Sequence, residues 1–230
     1  VAFQAVDYIL RVLKKNMVFG MTWGRAMHEF VEQLAKDERL RSLSFQNVKV
    51  VPFLGTPGAI QSDSWNTTTY SNTLATKVGN LLHCASYNLS APMYVEGTKE
   101  KELIESIDEI AKVLHMAETA DIALIGIGSM QDDSSIIKAE IRTKEEYKEL
   151  VRKGAVGEIV GRIYDKNGQT VDEDLKRKMV GISLDKIAKI PVRVGMSYGK
   201  DKIEAIKGAI AGGLVNVLVT DVPTAELLLK

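Results

Sequence analysis

The chain has 230 residues, of which 45% are hydrophobic and 26% charged, and its formal net charge is zero. That length can enclose one sizeable α/β core, and the even charge argues against a free-standing nucleic-acid binder, which draws affinity from phosphate neutralisation. One cysteine, Cys84, rules out an internal disulfide and points to a reducing cytoplasm, and no run is long and apolar enough to span a membrane.

The chain opens at Val1, already in a helical pattern, with no signal peptide ahead of it, which suits a piece of a longer protein. Residues 1–15 read as an amphipathic helix, with Ala5, Tyr8, Ile9, Val12 and Leu13 on one side. Residues 17–20 read as a buried strand. Met27, Phe30, Val31 and Leu34 then follow helical spacing. A strand is expected over 48–54, a polar loop at Gly55-Thr56-Pro57-Gly58, and a helix over 71–82. A strand with a proline-marked entry is expected over 87–95. One continuous helix is expected over 99–117, burying Leu103, Ile107, Ile110 and Leu114. Residues 121–128 form an apolar run ending in glycines, the kind of strand covered on both faces. A helix over 145–153 leads to strands at 158–165 and 170–172 around the turn Lys166-Asn167-Gly168. Strands at 192–196 and 215–220 flank a helix over 202–211 that stops at Gly212-Gly213. A last helix follows Asp221, with Pro223 in its first turn. Strands alternating with helices predict an α/β fold built on a mostly parallel, Rossmann-like sheet flanked by helices.

Two segments at opposite ends of the chain stand out. Gly20-Met21-Thr22-Trp23-Gly24 and Gly199-Lys200-Asp201-Lys202 each follow an apolar run and open a helical pattern. Such a junction turns free N–H groups and the positive end of a helix dipole toward one spot, which favours an anion. Gly20, Thr22, Trp23, Gly24, Gly199 and Lys202 are therefore phosphate-site candidates. Gly128 and Ser129, at the carboxyl end of a strand, join them. The same residues also suit a plain strand–helix turn with a buried tryptophan and a surface lysine. Glu158 can accept hydrogen bonds from sugar hydroxyls or be a solvated surface carboxylate. Gly55, Thr56, Asn66, Asn72 and Asp132 are neutral or acidic groups that can orient a sugar, or loop and cap residues. Neither the dinucleotide fingerprint nor the P-loop is present, so NAD and ATP are poorly supported and no cofactor is expected. His28, His83 and His115 lack metal-ligand spacing, and no Ser–His–Asp set is legible.

Taken in order, these segments resemble the effector-binding domain of SorC/DeoR-type bacterial transcriptional regulators. Residues 20–25 resemble G-x-S-W-G-x-T, with Thr22 for serine and Ala26 for threonine. Residues 89–92 look like L-P-A-P, 123–129 like A-L-V-G-I-G-S, and 154–165 like G-A-V-G-D-I-x-G-R-F-F-D. Residues 181–184 resemble G-I-S-L, 199–206 G-x-x-K-A-x-A-I, and 214–221 x-x-N-V-L-V-T-D. The resemblance runs over essentially the whole chain.

It implies a fold similar to ribose-5-phosphate isomerase and glucosamine-6-phosphate deaminase, with a small inserted β-containing region. It also implies a sugar or phosphosugar effector, a cytoplasmic homo-oligomer (dimer or tetramer), and operator DNA contacted only through an N-terminal helix-turn-helix domain outside this chain. The family pattern places phosphate near Thr22, Gly24, Gly199 and Lys202, and sugar hydroxyls near Glu158, with Asn72 beside the pocket. The loop at 55–58 reads G-T-P-G where some relatives carry an arginine, which argues against a bisphosphate. An isomerase or deaminase on the same fold is the rival reading. Glu158 or Asp132 would then be the base, yet no acid–base set is visible. A purely structural oligomerisation module is a weaker third.

Overall fold

A computed structural model describes residues 1–57 and 67–230. In chain order the elements are α1 (Ala2–Val12), β1 (Val18–Met21), α2 (Arg25–Leu34), β2 (Lys49–Pro52), α3 (Ser71–Leu81), β3 (Ala85–Ser86), α4 (Thr98–Glu105), α5 (Asp108–Glu118), β4 (Ile122–Gly126), β5 (Gly128–Ser129), α6 (Ser135–Lys138), α7 (Lys144–Arg152), β6 (Ala155–Ile159), β7 (Arg162–Asp165), α8 (Glu173–Lys178), α9 (Leu184–Ile187), β8 (Val192–Met196), α10 (Ile203–Ala211), β9 (Val217–Val219) and α11 (Val222–Leu228). A 3-10 turn, Lys200–Lys202, leads into α10.

Among the described residues the main sheet has six strands in the order β3-β2-β1-β4-β8-β9, and every neighbouring pair is parallel. Successive side chains along its strands alternate between two buried faces. Phe19, Met21, Val50, Leu124, Val194 and Met196 pack on one face with α1, α2 and α3. Val51, Ala123 and Ile125 turn to the other face, against Ala117, Ile163, Tyr164 and Ile206. Chain order reverses beside β1, which pairs with β2 on one side and β4 on the other. In open α/β sheets such a switch point opens a crevice at the carboxyl ends of the strands. A second sheet, β5-β6-β7, is antiparallel and forms the small β-containing region.

Four expectations are corrected. Residues 87–95 are not a strand. Asn72 takes both backbone groups of Leu89, accepting from its N–H (2.8 Å) and donating to its carbonyl (3.0 Å), so a ladder cannot. Only isolated bridges remain there, Thr56 to Pro92 and Tyr94 to Met179. The helix expected over 99–117 is two, because Ile107 is extended (ψ 123°) and the Ser106 hydroxyl donates to the Leu103 carbonyl. Leu103 and Ile107 are consequently exposed, at 68% and 51%. The run 121–128 is divided between both sheets, with β4 ending at Gly126 and β5 beginning at Gly128. The hairpin turns at Val160-Gly161, whose φ angles of 54° and 68° suit a two-residue loop. The turn at 166–168 exists, with Asp165 accepting from the N–H of Asn167 and Gln169, but only a bridge from Tyr164 to Thr170 follows it.

Gly20 lies mid-strand beneath the Phe53 ring, where a Cβ would come within 1.9 Å of Cε1. Gly20→Ala should therefore cost about 1–3 kcal/mol of stability, the range for overpacking a filled core. Urea unfolding of the variant measures this, and an unchanged midpoint would show that Phe53 swings aside freely.

Candidate functional site

At the crevice, the chain leaves β1 through Thr22 and enters α2 at Gly24, whose φ of 105° suits glycine. Thr22 is fully buried. Its N–H donates to the Leu124 carbonyl (3.1 Å), and its hydroxyl accepts from the Gly126 N–H (2.9 Å). Gly24, Arg25 and Ala26, the first turn of α2, line a cavity of about 340 Å³. N–H groups of a first turn have no partner inside the helix, and the dipole adds positive potential there.

Across the cavity, β5 pairs with β6 so that Gly128 faces Glu158 and Ser129 faces Gly157. A Cβ on Gly128 would stand 2.8 Å from Glu158 Oε2, so glycine leaves room for the carboxylate. The third wall comes from the segment after β8. Lys202 Nζ donates to Ser129 Oγ (2.9 Å), which donates in turn to Asp201 Oδ2 (3.1 Å). At the mouth, Arg25 pairs with Asp133 (3.0 Å), with both side chains mostly exposed. The Tyr198 hydroxyl donates to Glu29 (3.3 Å).

Glu158 differs from the other carboxylates lining the cavity in being buried, at 6% exposure. It accepts from the Gly161 N–H and from the Trp23 indole. Burial pushes its carboxyl above the ordinary glutamate value, while these two donors and the charges of Lys202 and Arg162 pull it back. The cavity is thus two-sided. A lysine and helix N–H groups face one part, suited to an anion. A buried carboxylate faces another, suited to hydroxyl donors.

Of the residues singled out in the sequence, the fold brings Trp23, Gly24, Gly128, Ser129, Glu158 and Lys202 together around this cavity. Gly20 is inside the sheet, and Thr22 is engaged with β4. Gly199 turns the chain into the Lys200–Lys202 segment with φ 109°, and its N–H donates to Thr224 Oγ1 (2.8 Å). Gly55, Thr56 and Asn72 form a separate brace. Asn72 donates to Thr56 Oγ1 (2.8 Å), and a Cβ on Gly55 would meet the Ala91 carbonyl at 2.5 Å. Asp132 is exposed and outside the lining, where its neighbour Asp133 takes part. Asn66 lies outside the described residues. The sequence reading missed Arg25, Glu29, Asp133, Tyr198 and Asp201. Glu29 follows Arg25 at i+4 on one helix face, a spacing that signals the pair. Asp133 carries no comparable mark.

A family model described as "Putative sugar-binding domain" matches residues 1–230. The chain is 30% identical over 222 residues to the sorbitol operon regulator of Klebsiella pneumoniae, covering 96% of this chain and 67% of that protein. It is also 30% identical over 230 residues to the transcriptional regulator LsrR of Escherichia coli, covering 98% and 67%. It spans about two thirds of the length of these relatives. The solved structure of the full-length sorbitol operon regulator SorC of Klebsiella pneumoniae superposes with a TM-score of 0.87 at 28% identity, over 100% of this chain and 71% of that one.

Because the Glu158 value is raised, the folded chain holds a proton that the unfolded chain has already released. The stability this contributes is fully present below the ordinary glutamate value and is lost as pH rises through the folded one. Glu158→Gln cannot ionise, so it should resist urea better than the parent at about pH 8, with the gap closing near about pH 4. Urea midpoints at both pH values check this, and a pH-independent gap would refute it.

Proposed function

The chain belongs to the sugar-binding domain family of SorC- and LsrR-type transcriptional regulators, and on that footing we propose that its cavity receives a sugar bearing a single phosphate. The observation that carries this reading is the opposition across the cavity. Lys202 and the first turn of α2 face the anion, and Glu158 faces the hydroxyls. A bisphosphate would need a second cationic clamp. The other cation at the mouth, Arg25, is largely in water and faces Asp133.

In this reading the domain senses the sugar and does not transform it. Turnover of a sugar phosphate needs an acid and a base at the carbonyl end. Among the described residues Glu158 is the one buried carboxylate lining the cavity, and Asp201 is engaged with Ser129 and Lys202. The longer relatives are named as regulators, which agrees. Sugar occupancy then shifts an oligomeric equilibrium in the cytoplasm, and with it the hold of an N-terminal DNA-binding domain on its operator. Such coupling requires the two states to differ in sugar affinity.

Thermal unfolding against a panel of sugars and sugar phosphates, with product analysis on the same samples, tests the reading. A true effector at about 100 times its dissociation constant adds roughly 2.7 kcal/mol of stability. Product formation would replace the sensor with an enzyme, and the absence of any shift would leave the cavity without a sugar. With an effector in hand, Lys202→Ala should weaken binding by about 1.5–3 kcal/mol, the range for hydrogen bonds to charged groups. Calorimetry reads this directly, and unchanged affinity would remove Lys202 from the site.

A further inference from the structure

Arg162 is among the largest fully buried side chains, at 2% exposure. None of the ion pairs among the described residues includes it. A buried guanidinium without a carboxylate against it is costly, so its surroundings need a reason to keep it. Its nitrogens donate to three carbonyls, Nη1 to Val160 (3.2 Å) and Nη2 to Met179 (3.2 Å) and Gly181 (3.1 Å), while Nε has no partner. Burial lowers its value to about 10.

One of those carbonyls belongs to a special peptide unit. The Val160 C=O and the Gly161 N–H are two ends of the same peptide bond, and the Gly161 N–H donates to Glu158 Oε1. A single planar group is therefore gripped by a buried guanidinium at its oxygen and a buried carboxyl group at its nitrogen. Since the C=O and N–H of a trans peptide point in opposite directions, the two charged side chains occupy opposite faces of the hairpin. The strand register agrees, with Arg162 opposite Ile159 and Glu158 opposite Ile163. The unit is also strained, because Val160 is β-branched and holds φ at 54°. The arrangement polarises the peptide from both ends, which strengthens each hydrogen bond.

We propose that Arg162 is a positioning residue for the cavity: through the Val160–Gly161 peptide it fixes the turn whose N–H holds the Glu158 carboxylate in place. Arg162 does not touch the cavity. It acts on ligand selection by setting where the hydroxyl-accepting oxygen stands. The inference rests on the cavity being the sugar site, but its test uses no sugar, so the two fail separately. Other groups bearing on Glu158 are Lys202 before α10, Tyr147 of α7 and Tyr164 of β7, with Asp133 and Asp201 at the cavity wall and Glu105 of α4 beside Arg162.

The first measurement is hydrogen exchange in Arg162→Lys, which keeps the charge but loses the fork that spans the carbonyls. Exchange at the Gly161 amide should accelerate about tenfold or more relative to the Ile159 and Ile163 amides of the same hairpin, as local release and not general loosening. Parallel changes at all three amides would overturn the proposal. The second uses Trp23 as a reporter of its hydrogen-bonded partner, in a Trp65→Phe background that leaves it the only tryptophan. In Arg162→Gln the pH midpoint of Trp23 emission should rise, because the carboxyl group loses a cation and the turn that positions its donor. In Arg162→Lys it should stay near the parent value. An unmoved midpoint in a folded glutamine variant would overturn the proposal, and if that variant does not fold, the lysine variant's Gly161 exchange decides alone.

Discussion

The bonds from Thr22 to β4 are the constraint on which the crevice depends. Two parallel strands at a switch point have helices leaving in opposite directions, so their carboxyl ends are free to splay. Thr22 stops this by giving its N–H to Leu124 and receiving the Gly126 N–H on its hydroxyl. The first holds the strands at ladder spacing one residue beyond β1. The second fixes the level at which the chain leaves β4 for the second sheet. From there Gly128 is set against Glu158, and Ser129 is set against the segment carrying Lys202. A buried threonine hydroxyl at this point serves the cavity by holding its walls, without lining it.

Much of the fold was legible because periodicity reports burial. The apolar runs at 17–20, 121–128 and 192–196 overlap β1, β4 and β8, and the α/β class and parallel sheet follow from their alternation with helices. Two of the errors, at 87–95 and 99–117, share one cause. Side chains that bond to backbone replace the pattern that periodicity relies on. Asn72 occupies both backbone groups of Leu89, and the Ser106 hydroxyl competes for a helical carbonyl. Neither effect is visible in an apolar spacing count. The hairpin turn was missed for a different reason. Val160 is a poor residue for positive φ, and a sequence rule looks past it to the more favourable Asn167-Gly168.

The site was legible in part on the same terms. Glycines and a lysine at strand–helix junctions mark an anion site, and Gly24, Gly128, Ser129 and Lys202 do converge. The residues at the mouth were not readable. Tyr198 meets Glu29, and Arg25 meets Asp133, through tertiary approach across more than a hundred residues of sequence, and each alone is an ordinary surface residue. Two cations and four carboxylates, Glu29, Asp133, Glu158 and Asp201, surround the cavity. That balance separates it from sites that bind highly charged ligands by net positive field, and it places the burden of selection on hydrogen-bond geometry.

The pair between Arg25 and Asp133 joins α2 to the loop after β5 across the opening. Both side chains are largely in water, so the contact is worth only about 0–1 kcal/mol and is screened by salt. A closure that weak yields to ordinary thermal motion many times during the residence of a bound molecule. It barely alters how tightly anything is held. The pair therefore leaves the mouth open to exchange, and the more so as the ionic strength of the surroundings rises.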